Sequence, residues 1–556
     1  MLNSIQCDVL VIGGGAAATR AAIEASDLGA HVLMVAKMKY GYSGSSFYDN
    51  SIPWGMMMAG EGKEAESAFL EEVLKASCGC LNRKLTEILV RDSNDRLKDL
   101  MNYGIELRMN DEAPCFGKKP RGAMLVNMDN ARRSFKKQIE KRNISVIEDL
   151  PIHELVVRDR ICHGALGTDP FGNVVMIHSK TVILATGGAE TLWEYGFALK
   201  DMTGDAYAMA ARNGARLANL EFIQFIPGVV SPLNRTNFHH PTLRSFPGVY
   251  NSSGEECLKK YLPEGITAEM CLEARAGHGP FSCEDDSKYF DIALCMEEAA
   301  SSSGMVAGAE IRYTDAFFDD SRYDTWRGFL ATRGIDAKKD TLRIYPHCQG
   351  FNGGVLIDEH CATDIENLYA CGECAGGPHG ANRIGGNAIL GTQVFGRIAG
   401  EQAALKSRKM SNVIPDSLND LKKQAAASFD TGYSSKHRPK EVMAYIRAVM
   451  QESAFIIREE KKMAEGIEKL NELGKEYNAC QFVNDGGDAA EALNASNSLM
   501  TSRLILFSML CRRESRGGHY RKDFPEKDDT LFGGMSIARV DDGRNIVVEQ
   551  NRHLQD

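Results

Sequence analysis

The chain lacks the marks of a membrane-spanning, secreted or nucleic-acid-binding protein. Its 556 residues contain no apolar run long enough to cross a bilayer, and the first apolar segment begins too close to Met1 for a signal peptide. Acidic residues outnumber basic ones by 75 to 65, giving a net charge of −10, so nucleic acid is not an expected partner. We therefore expect a cytoplasmic protein with no direct membrane insertion.

The sequence also lacks a cysteine framework. Its 15 cysteines are scattered, and the close pairs are Cys78 with Cys80 and Cys371 with Cys374. No metal site is predicted, and most of the thiols are expected to be small buried side chains. A disulfide reductase that uses Cys371 and Cys374 is an alternative, disfavoured because such enzymes place their dithiol just after the first nucleotide-binding unit.

A glycine-rich turn organises the N-terminal region. Cys7 to Ile12 reads as a buried strand, a helix then runs to about Leu28, and His31 to Val35 reads as a second strand. In the intervening turn, Gly13 permits the sharp bend and Gly15 allows a pyrophosphate to approach the backbone. The small Ala18 lets the helix pack closely on the strand. This pattern predicts a dinucleotide at the helix N-terminus, where the helix dipole favours negative charge.

The acidic residue that usually ends the second strand and binds the ribose is missing. Ala36 and Lys37 stand at that place, so the residues of this unit alone leave the choice between NAD and FAD open. No second strand, G-x-G-x-x-G and helix unit occurs in the sequence. A built-in nicotinamide domain is therefore not predicted, and electrons must enter or leave by another route.

Two later segments also read as strands that end at a glycine-rich turn. Thr181 to Gly188 is an apolar strand that ends in Ala-Thr-Gly-Gly, and Asn367 to Glu373 is another strand with a glycine turn. A long helix then begins near Asn387, and its N-terminus would stabilise negative charge at the far end of the same elongated cofactor. The small, polar segment Tyr40 to Ser46 is suited to wrapping that cofactor, with a plain surface loop as the alternative.

The length is too great for one core and predicts two or three domains. We predict an α/β fold with a discontinuous, Rossmann-like FAD-binding domain at 1–226 and 346–410, an inserted α+β capping domain at 227–345, and a helical C-terminal domain at 415–556. Within these, we predict two helices over 64–103, one helix over 206–218, and an irregular last forty residues.

His347 and Arg383 are the strongest catalytic candidates from the residues alone. Each lies in a glycine-rich segment beside a cofactor segment. A guanidinium can bind a carboxylate with two parallel hydrogen bonds, and an imidazole can donate a hydrogen bond or a proton. The structural alternatives are a salt bridge for Arg383 and a buried, hydrogen-bonded ring for His347.

The chain closely resembles the fumarate reductase and succinate dehydrogenase flavoprotein family, which includes L-aspartate oxidase and the α subunit of adenylylsulfate reductase. The resemblance rests first on His379-Gly-Ala-Asn-Arg383, with Cys371-Gly-Glu373 before it and Asn387 after it. Further matching motifs run almost end to end: Val11-Ile-Gly-Gly-Gly15, Ala185-Thr-Gly-Gly188, Thr203-Gly-Asp205, Glu221-Phe-Ile-Gln-Phe225, Asn352-Gly-Gly354 and Arg513-Glu-Ser-Arg-Gly-Gly-His-Tyr-Arg521.

The resemblance implies FAD, a capping domain over the flavin, and hydride transfer between flavin N5 and a substrate carbon. Arg383 would bind a substrate carboxylate with help from His347, while Glu373 and Asp205 would hold the FAD. The expected cofactor-binding residues are Gly13, Gly15, Ala18, Lys37, Ser43, Gly44, Ser45, Ala185, Thr186, Gly187, Asp205, Glu373, Asn387, Ala388 and Ile389.

The sequence departs from the family pattern at three places. Ser43-Gly44-Ser45 stands where covalently flavinylated members carry a histidine, so noncovalent FAD is expected. Gln224-Phe-Ile-Pro-Gly228 lacks one carboxylate-binding histidine, although His240-Pro-Thr242 follows. The segment with the proton-shuttling arginine is not recognisable, and Arg244 is the first candidate for it, with Arg275 second.

The resulting prediction is an FAD-dependent oxidoreductase that acts on a small, carboxylate-bearing substrate. The alternatives are an L-aspartate oxidase-like enzyme and a non-catalytic electron-transfer flavoprotein. An iron–sulfur partner subunit or a homo-oligomer is the expected assembly. Substrate, direction and electron donor stay open at this point.

Overall fold

The computed structural model describes residues 3–42, 44–47, 54–300, 308–411, 434–482 and 488–551. The strands are β1 (Asn3–Ile12), β2 (Val32–Val35), β3 (Gly55–Met57), β4 (Leu107–Met109), β5 (Gly122–Leu125), β6 (Ser145–Ile147), β7 (Ile152–Arg158), β8 (Ile161–Thr168), β9 (Val174–Leu184), β10 (Leu217–Ala218), β11 (Ile223–Ser231), β12 (Thr236–Asn237), β13 (Gly248–Tyr250), β14 (Ala309–Arg312), β15 (Leu342–Phe351), β16 (Gly354–Leu356), β17 (Leu368–Ala370), β18 (Ala375–Gly376), β19 (Ile457–Arg458), β20 (Tyr520–Arg521), β21 (Met535–Val540) and β22 (Ile546–Asn551). The α-helices are α1 (Ala16–Asp27), α2 (Lys63–Ala76), α3 (Arg83–Arg91), α4 (Ser93–Asn102), α5 (Met128–Lys141), α6 (Asp205–Arg212), α7 (Ala268–Ala276), α8 (Lys288–Ala300), α9 (Asp315–Asp319), α10 (Asp324–Thr332), α11 (Asn387–Ser407), α12 (Pro439–Ser453), α13 (Glu460–Glu476), α14 (Asp488–Cys511) and α15 (Asp529–Phe532).

A seven-stranded sheet forms the centre of the nucleotide-binding part. Its order is β6-β2-β1-β9-β8-β7, and β17 also pairs with β9. Strands β6, β2, β1, β9 and β17 run parallel. Their carboxyl ends therefore lie at one edge, which is where open α/β sheets bind ligands. The α/β fold is confirmed.

Helices α1 and α11 pack against each other at very short range. A Cβ on Gly400 would lie 2.3 Å from the carbonyl oxygen of Ala21, and one on Gly396 would lie 2.9 Å from that of Ala17. Only glycine allows this approach. The contact places the N-termini of two helices that are distant in sequence beside the same sheet edge.

A five-stranded antiparallel sheet, ordered β12-β11-β15-β14-β13, carries the inserted region together with α7 to α10. Strands β11 and β15 pair along most of their length and cross residues 226 and 346. The chain therefore leaves and re-enters the nucleotide-binding part within a single strand pair. The domain limits stay a prediction.

Three local expectations are corrected. The region 64–103 forms three helices, α2 to α4. The predicted helix over 206–218 ends at Arg212, because Leu217 and Ala218 pair with β16 and β21 as strand β10. The C-terminal segment is not irregular throughout, since β21 and β22 form a hairpin on the sheet ordered β18-β16-β10-β21-β22.

A fully buried charge network holds the C-terminal part to the start of β11. Arg512 contacts Glu221 at 2.6 Å and Glu514 at 2.7 Å, and Arg516 contacts Glu514 at 2.7 Å. Ser536 donates to the second oxygen of Glu221 at 2.6 Å. The motifs that begin at Glu221 and at Arg513 thus meet in the interior. Their contacts hold the C-terminal part of the chain against the start of β11.

Among the helices that the structure describes, none combines the length and apolar character needed to span a membrane.

Candidate active site

A cavity of about 390 Å³ lies at the carboxyl edge of the central sheet. The N-termini of α1 and α11, the ends of β9 and β17, and the loop at residues 44–46 form its wall. Predicted residues in the wall are Gly13, Gly15, Lys37, Gly44, Ser45, Ala185, Thr186, Gly187, Asp205, Glu373, Arg383, Ala388 and Ile389. The structure therefore brings together segments that are far apart in sequence.

Gly13 occupies a backbone conformation that excludes other residues. Its φ is +140°, and a Cβ there would lie 2.1 Å from the carbonyl oxygen of Ala185 at the end of β9. The same Cβ would lie 3.5 Å from that of Ala18, which is fully buried behind the cavity wall. The turn and the small helix residue together bring α1 onto the sheet.

We expect Gly13→Ala to lower the free energy of unfolding by about 1–3 kcal/mol and to reduce the amount of dinucleotide retained, because the phosphate-facing turn must move. Thermal unfolding and the ultraviolet–visible spectrum of purified protein measure the two effects. Gly62→Ala is the matched control, since Gly62 has φ +85° and open space around its Cβ position. Equal losses in both variants would contradict the steric explanation.

The loop between β2 and β3 is tied to the cavity by two contacts. Ser46 Oγ accepts a hydrogen bond from the Ala16 backbone N–H at 3.3 Å. Arg132 on α5 donates to the backbone oxygens of Gly41 and Phe47 at 2.9 and 2.8 Å. The loop is thus anchored on both sides of Gly44 and Ser45. Ser43 lies outside the described residues.

Lys37 and Asp205 pair with each other inside the cavity wall. The Lys37 ammonium lies 2.8 Å from Asp205, and Asn497 on α14 donates to the other Asp205 oxygen at 3.0 Å. Burial opposes ionisation of Asp205, but the Lys37 charge and hydrogen bonds from Lys37 and Asn497 outweigh it and hold the Asp205 pKa below its ordinary value. Lys37 therefore takes the position of the missing acidic residue and neutralises a buried carboxylate.

Replacing Lys37 with methionine should lower the free energy of unfolding near pH 7 by about 3 kcal/mol, because Asp205 is left as an uncompensated buried charge. The Asp205 pKa is depressed in the folded state, so its contribution is complete above the unfolded pKa of about 4 and is lost as pH falls through the folded pKa. The difference between variant and wild type should therefore shrink in acid. Urea denaturation at a series of pH values tests this, with the exposed Lys39→Met as control; a difference independent of pH would contradict the assignment.

Arg383 is a buried cation without a carboxylate partner in the described part of the chain. It is 9% exposed, and its Nη2 donates to Gln224 Oε1 at 2.6 Å. Burial lowers the pKa of Arg383, while the more distant Glu373 carboxylate opposes that shift. Guanidinium groups stay protonated in proteins, so this one presents a positive charge to the cavity.

Further side chains line the cavity besides the predicted site residues named above. They include Cys115, Asn237, His240 and His379. Burial, with a smaller effect from Arg383, lowers the pKa of His379 to about 3, and burial likewise lowers the pKa of His240. Both rings are neutral near pH 7. His379 and Gln224 belong to motifs quoted above, so the sequence could have suggested them as site residues. Cys115 belongs to none of those motifs.

His347 is not part of the cavity wall. Its ring stacks on Phe197 at 4.7 Å, and Nδ1 lies 2.8 Å from the Tyr345 carbonyl oxygen. The side chain lies over Gly228, where a Cβ would come within 2.5 Å of Nδ1. Burial lowers the pKa of His347 to about 4. The ring packs among aromatic side chains and its residue pairs with Ile226 on β11, and the assistance of His347 to the substrate arginine stays a prediction.

Neither candidate for a proton-shuttling arginine lines the cavity. Arg244 is half-exposed on the capping region and pairs with Glu273 at 3.0 Å. Arg275 is fully buried and bound to Asp291 at 2.6 Å. The side chain of Arg244 thus lies in a surface ion pair outside the cavity wall, and its role as a proton shuttle stays a prediction.

Comparison with known proteins agrees with this geometry. Residues 8–389 match the family model described as FAD binding domain, and residues 443–553 match that described as Fumarate reductase flavoprotein C-term. One subunit of the fumarate reductase (CoM/CoB) of Methanothermobacter marburgensis is 30% identical over 539 residues, covering 94% of this chain and 95% of the relative. The chain is an FAD-dependent oxidoreductase of the fumarate reductase and succinate dehydrogenase flavoprotein family.

Other members of the family are similar over the same extent. The solved structure of Sdh1 from Mycobacterium smegmatis in complex with UQ1 superimposes with a TM-score of 0.81 at 26% identity, covering 99% of this chain and 94% of that one. L-aspartate oxidase of Streptomyces coelicolor is 25% identical, covering 98% of this chain and 93% of the relative. The FAD-binding and C-terminal regions predicted from the sequence are confirmed as parts of this flavoprotein fold.

Buried polar groups without a partner lie in and next to the cavity wall of this flavoprotein. Within the described residues, Thr186 Oγ1 and both side-chain polar atoms of Asn387 are buried without a hydrogen-bond partner. Asn387 is the first residue of α11, behind Ala388 and Ile389 in the wall. Glu373 accepts from the Phe351 backbone N–H at 3.0 Å and keeps a second oxygen. These groups would hold the FAD.

Proposed function

We propose that this flavoprotein oxidises or reduces a small substrate that carries a carboxylate, with FAD supplying hydride transfer at N5 when bound. The observation that carries the proposal is Arg383, a cavity-lining guanidinium whose only close polar contact in the described chain is the neutral amide of Gln224. An uncompensated buried charge is costly, so the site favours an anionic ligand. A carboxylate fits because the guanidinium can bind it through two parallel hydrogen bonds.

The neighbouring residues support an orienting role for Arg383. Gln224 accepts from Nη2 at 2.6 Å and so fixes the plane of the guanidinium. His240 and His379 are neutral and can each donate or accept a hydrogen bond. The chain's own residues would thus bind the substrate carboxylate, orient the substrate and exclude water from the reacting carbons.

The segment from Gln224 to Gly228 favours a substrate that is not a symmetrical dicarboxylate. Ile226 lines the cavity at the place in the Gln224 to Gly228 segment where the family carries a histidine. An isoleucine cannot bind a second carboxylate, and its apolar surface favours an uncharged group. One anionic end and one less polar end are therefore the expected substrate features.

Anaerobic screening of photoreduced enzyme tests the proposal. A panel of enoates, imino acids and sulfur compounds is added while the flavin absorbance is followed. We expect reoxidation by one or more carboxylate-bearing compounds and none by the corresponding amides or esters. Reoxidation only by compounds without a carboxylate, or by none of the panel, would contradict the proposal.

An L-aspartate oxidase-like activity is the second candidate, because relatives with that name align over nearly the whole chain. Such an enzyme would pass electrons to oxygen. Peroxide that appears in proportion to substrate consumed in air would favour it, whereas turnover that requires an electron-transfer dye would favour the reductase or dehydrogenase proposal. A non-catalytic electron-transfer protein would bind FAD and fail both assays.

We also propose that FAD is bound noncovalently and that an iron–sulfur subunit exchanges electrons with it. The residues at 43–45 offer no histidine for a covalent bond, and a relative over most of the chain is named as one subunit of a fumarate reductase. Within the described residues no cluster of potential metal ligands is present. Acid precipitation of the protein should release free FAD, and flavin that stays attached to the precipitate would contradict noncovalent binding. Purification from the native host should yield a second, iron-containing chain together with this one. A single chain that is active by itself would contradict the proposed iron–sulfur subunit.

A further inference from the structure

Cys115 joins the Arg383 segment to the capping region at the wall of the FAD cavity. Its backbone oxygen accepts a hydrogen bond at 2.9 Å from the N–H of Gly385, two residues after Arg383. Its Sγ accepts one at 3.2 Å from the N–H of Gly279, which belongs to the inserted region. Cys115 is half-buried and lines the cavity together with both glycines. The carboxylate site proposed above leaves this thiol without a role.

His240 lies beside the thiol. A Cβ on Gly279 would lie 3.3 Å from Cys115 Sγ, 3.4 Å from His240 Cε1 and 3.7 Å from His240 Nδ1. His240 also lines the cavity. The thiol and the imidazole thus flank one backbone position, and glycine at that position keeps the space next to both groups free of a side chain.

Arg383 gives an independent indication that a ligand binds next to this space. Its side chain is 9% exposed, lines the same cavity and contacts only the neutral amide of Gln224 within the described chain. A bound carboxylate would compensate the buried charge. The backbone hydrogen bond between Gly385 and Cys115 holds the Arg383 segment against the thiol, so the carbons next to that carboxylate would lie near Sγ.

The proposed hydride transfer also needs a group that exchanges a proton with the substrate. Arg244 and Arg275, the two candidates from the sequence, lie in ion pairs outside the cavity wall. His240 and His379 line the wall but are neutral near pH 7, and a neutral imidazole gives up its remaining proton poorly. The thiol of Cys115 is a stronger acid than these neutral rings.

The surroundings of Cys115 suit a thiol that gives up a proton and regains it. Burial raises the pKa of Cys115, so the thiol is protonated near pH 7. The hydrogen bond from the Gly279 N–H and the charges of Arg275 and Arg383 act in the opposite direction. These groups would stabilise the thiolate that remains after the proton has moved to a substrate.

We propose that the Cys115 thiol is the catalytic acid and base that exchanges a proton with the substrate carbon next to the one that exchanges hydride. In the direction of reduction the Cys115 S–H bond breaks, a C–H bond forms on that carbon, and solvent then returns a proton to the thiolate. In the direction of oxidation each of these bond changes reverses. FAD supplies or accepts the hydride when bound, so that hydride and proton together saturate or form one carbon–carbon double bond. The inference rests on the proposed carboxylate site, since Arg383 would hold the substrate beside the thiol.

Alkylation tests without turnover whether the thiol lies in the carboxylate site. Iodoacetate carries a carboxylate and iodoacetamide does not; with either reagent the thiol sulfur displaces iodide and loses its proton to the buffer. Mass spectrometry of peptides gives both rates at each cysteine of the oxidised, FAD-loaded protein. We expect the ratio of the iodoacetate rate to the iodoacetamide rate to be at least about tenfold higher at Cys115 than at Cys295, a half-buried thiol of α8 outside the cavity wall.

Acetate should protect Cys115 from both reagents, and Arg383→Met should remove the preference of Cys115 for iodoacetate. The same ratio at Cys115 and Cys295, in protein whose flavin spectrum responds to acetate, would overturn the role of Cys115 alone. The same ratio with no spectral response to acetate would overturn the carboxylate site and this inference with it.

Single-turnover kinetics separate proton transfer from binding. With an enoate that reoxidises the flavin, Cys115→Ala should lower the rate at saturating substrate by at least about a hundredfold, while the affinity for acetate should stay within about threefold of wild type. Cys115→Ser keeps the size and a hydrogen-bonding group but is a much weaker acid, so it should be similarly slow. In D₂O, wild type should add deuterium to one face of the protonated carbon and the slow variants to both faces, because water replaces the thiol. Wild-type rates with addition to one face in both variants, or a loss confined to Arg244→Met, would overturn the proposal.

Discussion

Arg383→Met is expected to lower kcat/KM by two or more orders of magnitude, equivalent to about 3 kcal/mol or more of transition-state stabilisation. The side chain keeps a similar length but loses the charge and both hydrogen bonds that a substrate carboxylate would receive. Arg383→Lys should recover part of the loss, because it restores the charge without the planar pair of donors. Steady-state kinetics with the substrate found by flavin reoxidation measures the effect.

Arg322→Met is the control for this prediction. Arg322 is an exposed arginine of the capping region whose side chain pairs with Asp320 at the surface, so its loss should leave kcat/KM near the wild-type value. FAD content should be similar in both variants. A decrease of less than about tenfold in Arg383→Met, or an equally large decrease in Arg322→Met, would contradict the assignment.

Arg512→Ala is expected to lower the free energy of unfolding by about 3–5 kcal/mol. The substitution leaves Glu221 buried without its paired cation, while Glu514 keeps Arg516. It also removes the donors to the carbonyl oxygens of Phe532 and Gly534 at 2.8 and 2.9 Å. The C-terminal hairpin should therefore detach more readily. Urea denaturation followed by circular dichroism measures the loss, and limited proteolysis near residue 535 reports the detachment.

The neighbouring Arg513→Ala provides the control. Arg513 is 57% exposed and pairs with Glu460 at 3.4 Å, and exposed ion pairs contribute at most about 1 kcal/mol. Similar losses of unfolding free energy in Arg512→Ala and Arg513→Ala would show that the buried charge network does not stabilise the protein more than an exposed ion pair does.

The first nucleotide-binding unit could be predicted because several short-range sequence features all indicate the same structure there. A buried strand, a glycine with positive φ at Gly13, a small residue at Ala18 and a second parallel strand each specify the same unit. Arg383 could also be placed, since it lies four residues before the start of a helix whose N-terminus faces the cavity. These features depend on contacts between residues that are close in sequence.

Other features depend on contacts between residues that are far apart in the sequence. His347 could face either side of β15, and the missing side chain at Gly228 on the paired strand decides the direction. The C-terminal hairpin is stable because β10, more than 300 residues earlier, provides its sheet edge.

Binding of acetate to the oxidised, FAD-loaded protein tests the central claim most directly. Acetate is a small monocarboxylate with a single saturated carbon, so it cannot be dehydrogenated and its binding is observed without turnover. We predict a saturable change in the flavin absorption spectrum in wild type, no change with acetamide, and at least about a hundredfold weaker binding in Arg383→Met. Equal affinity for acetate in wild type and Arg383→Met would contradict a cavity in which one arginine presents a carboxylate to FAD.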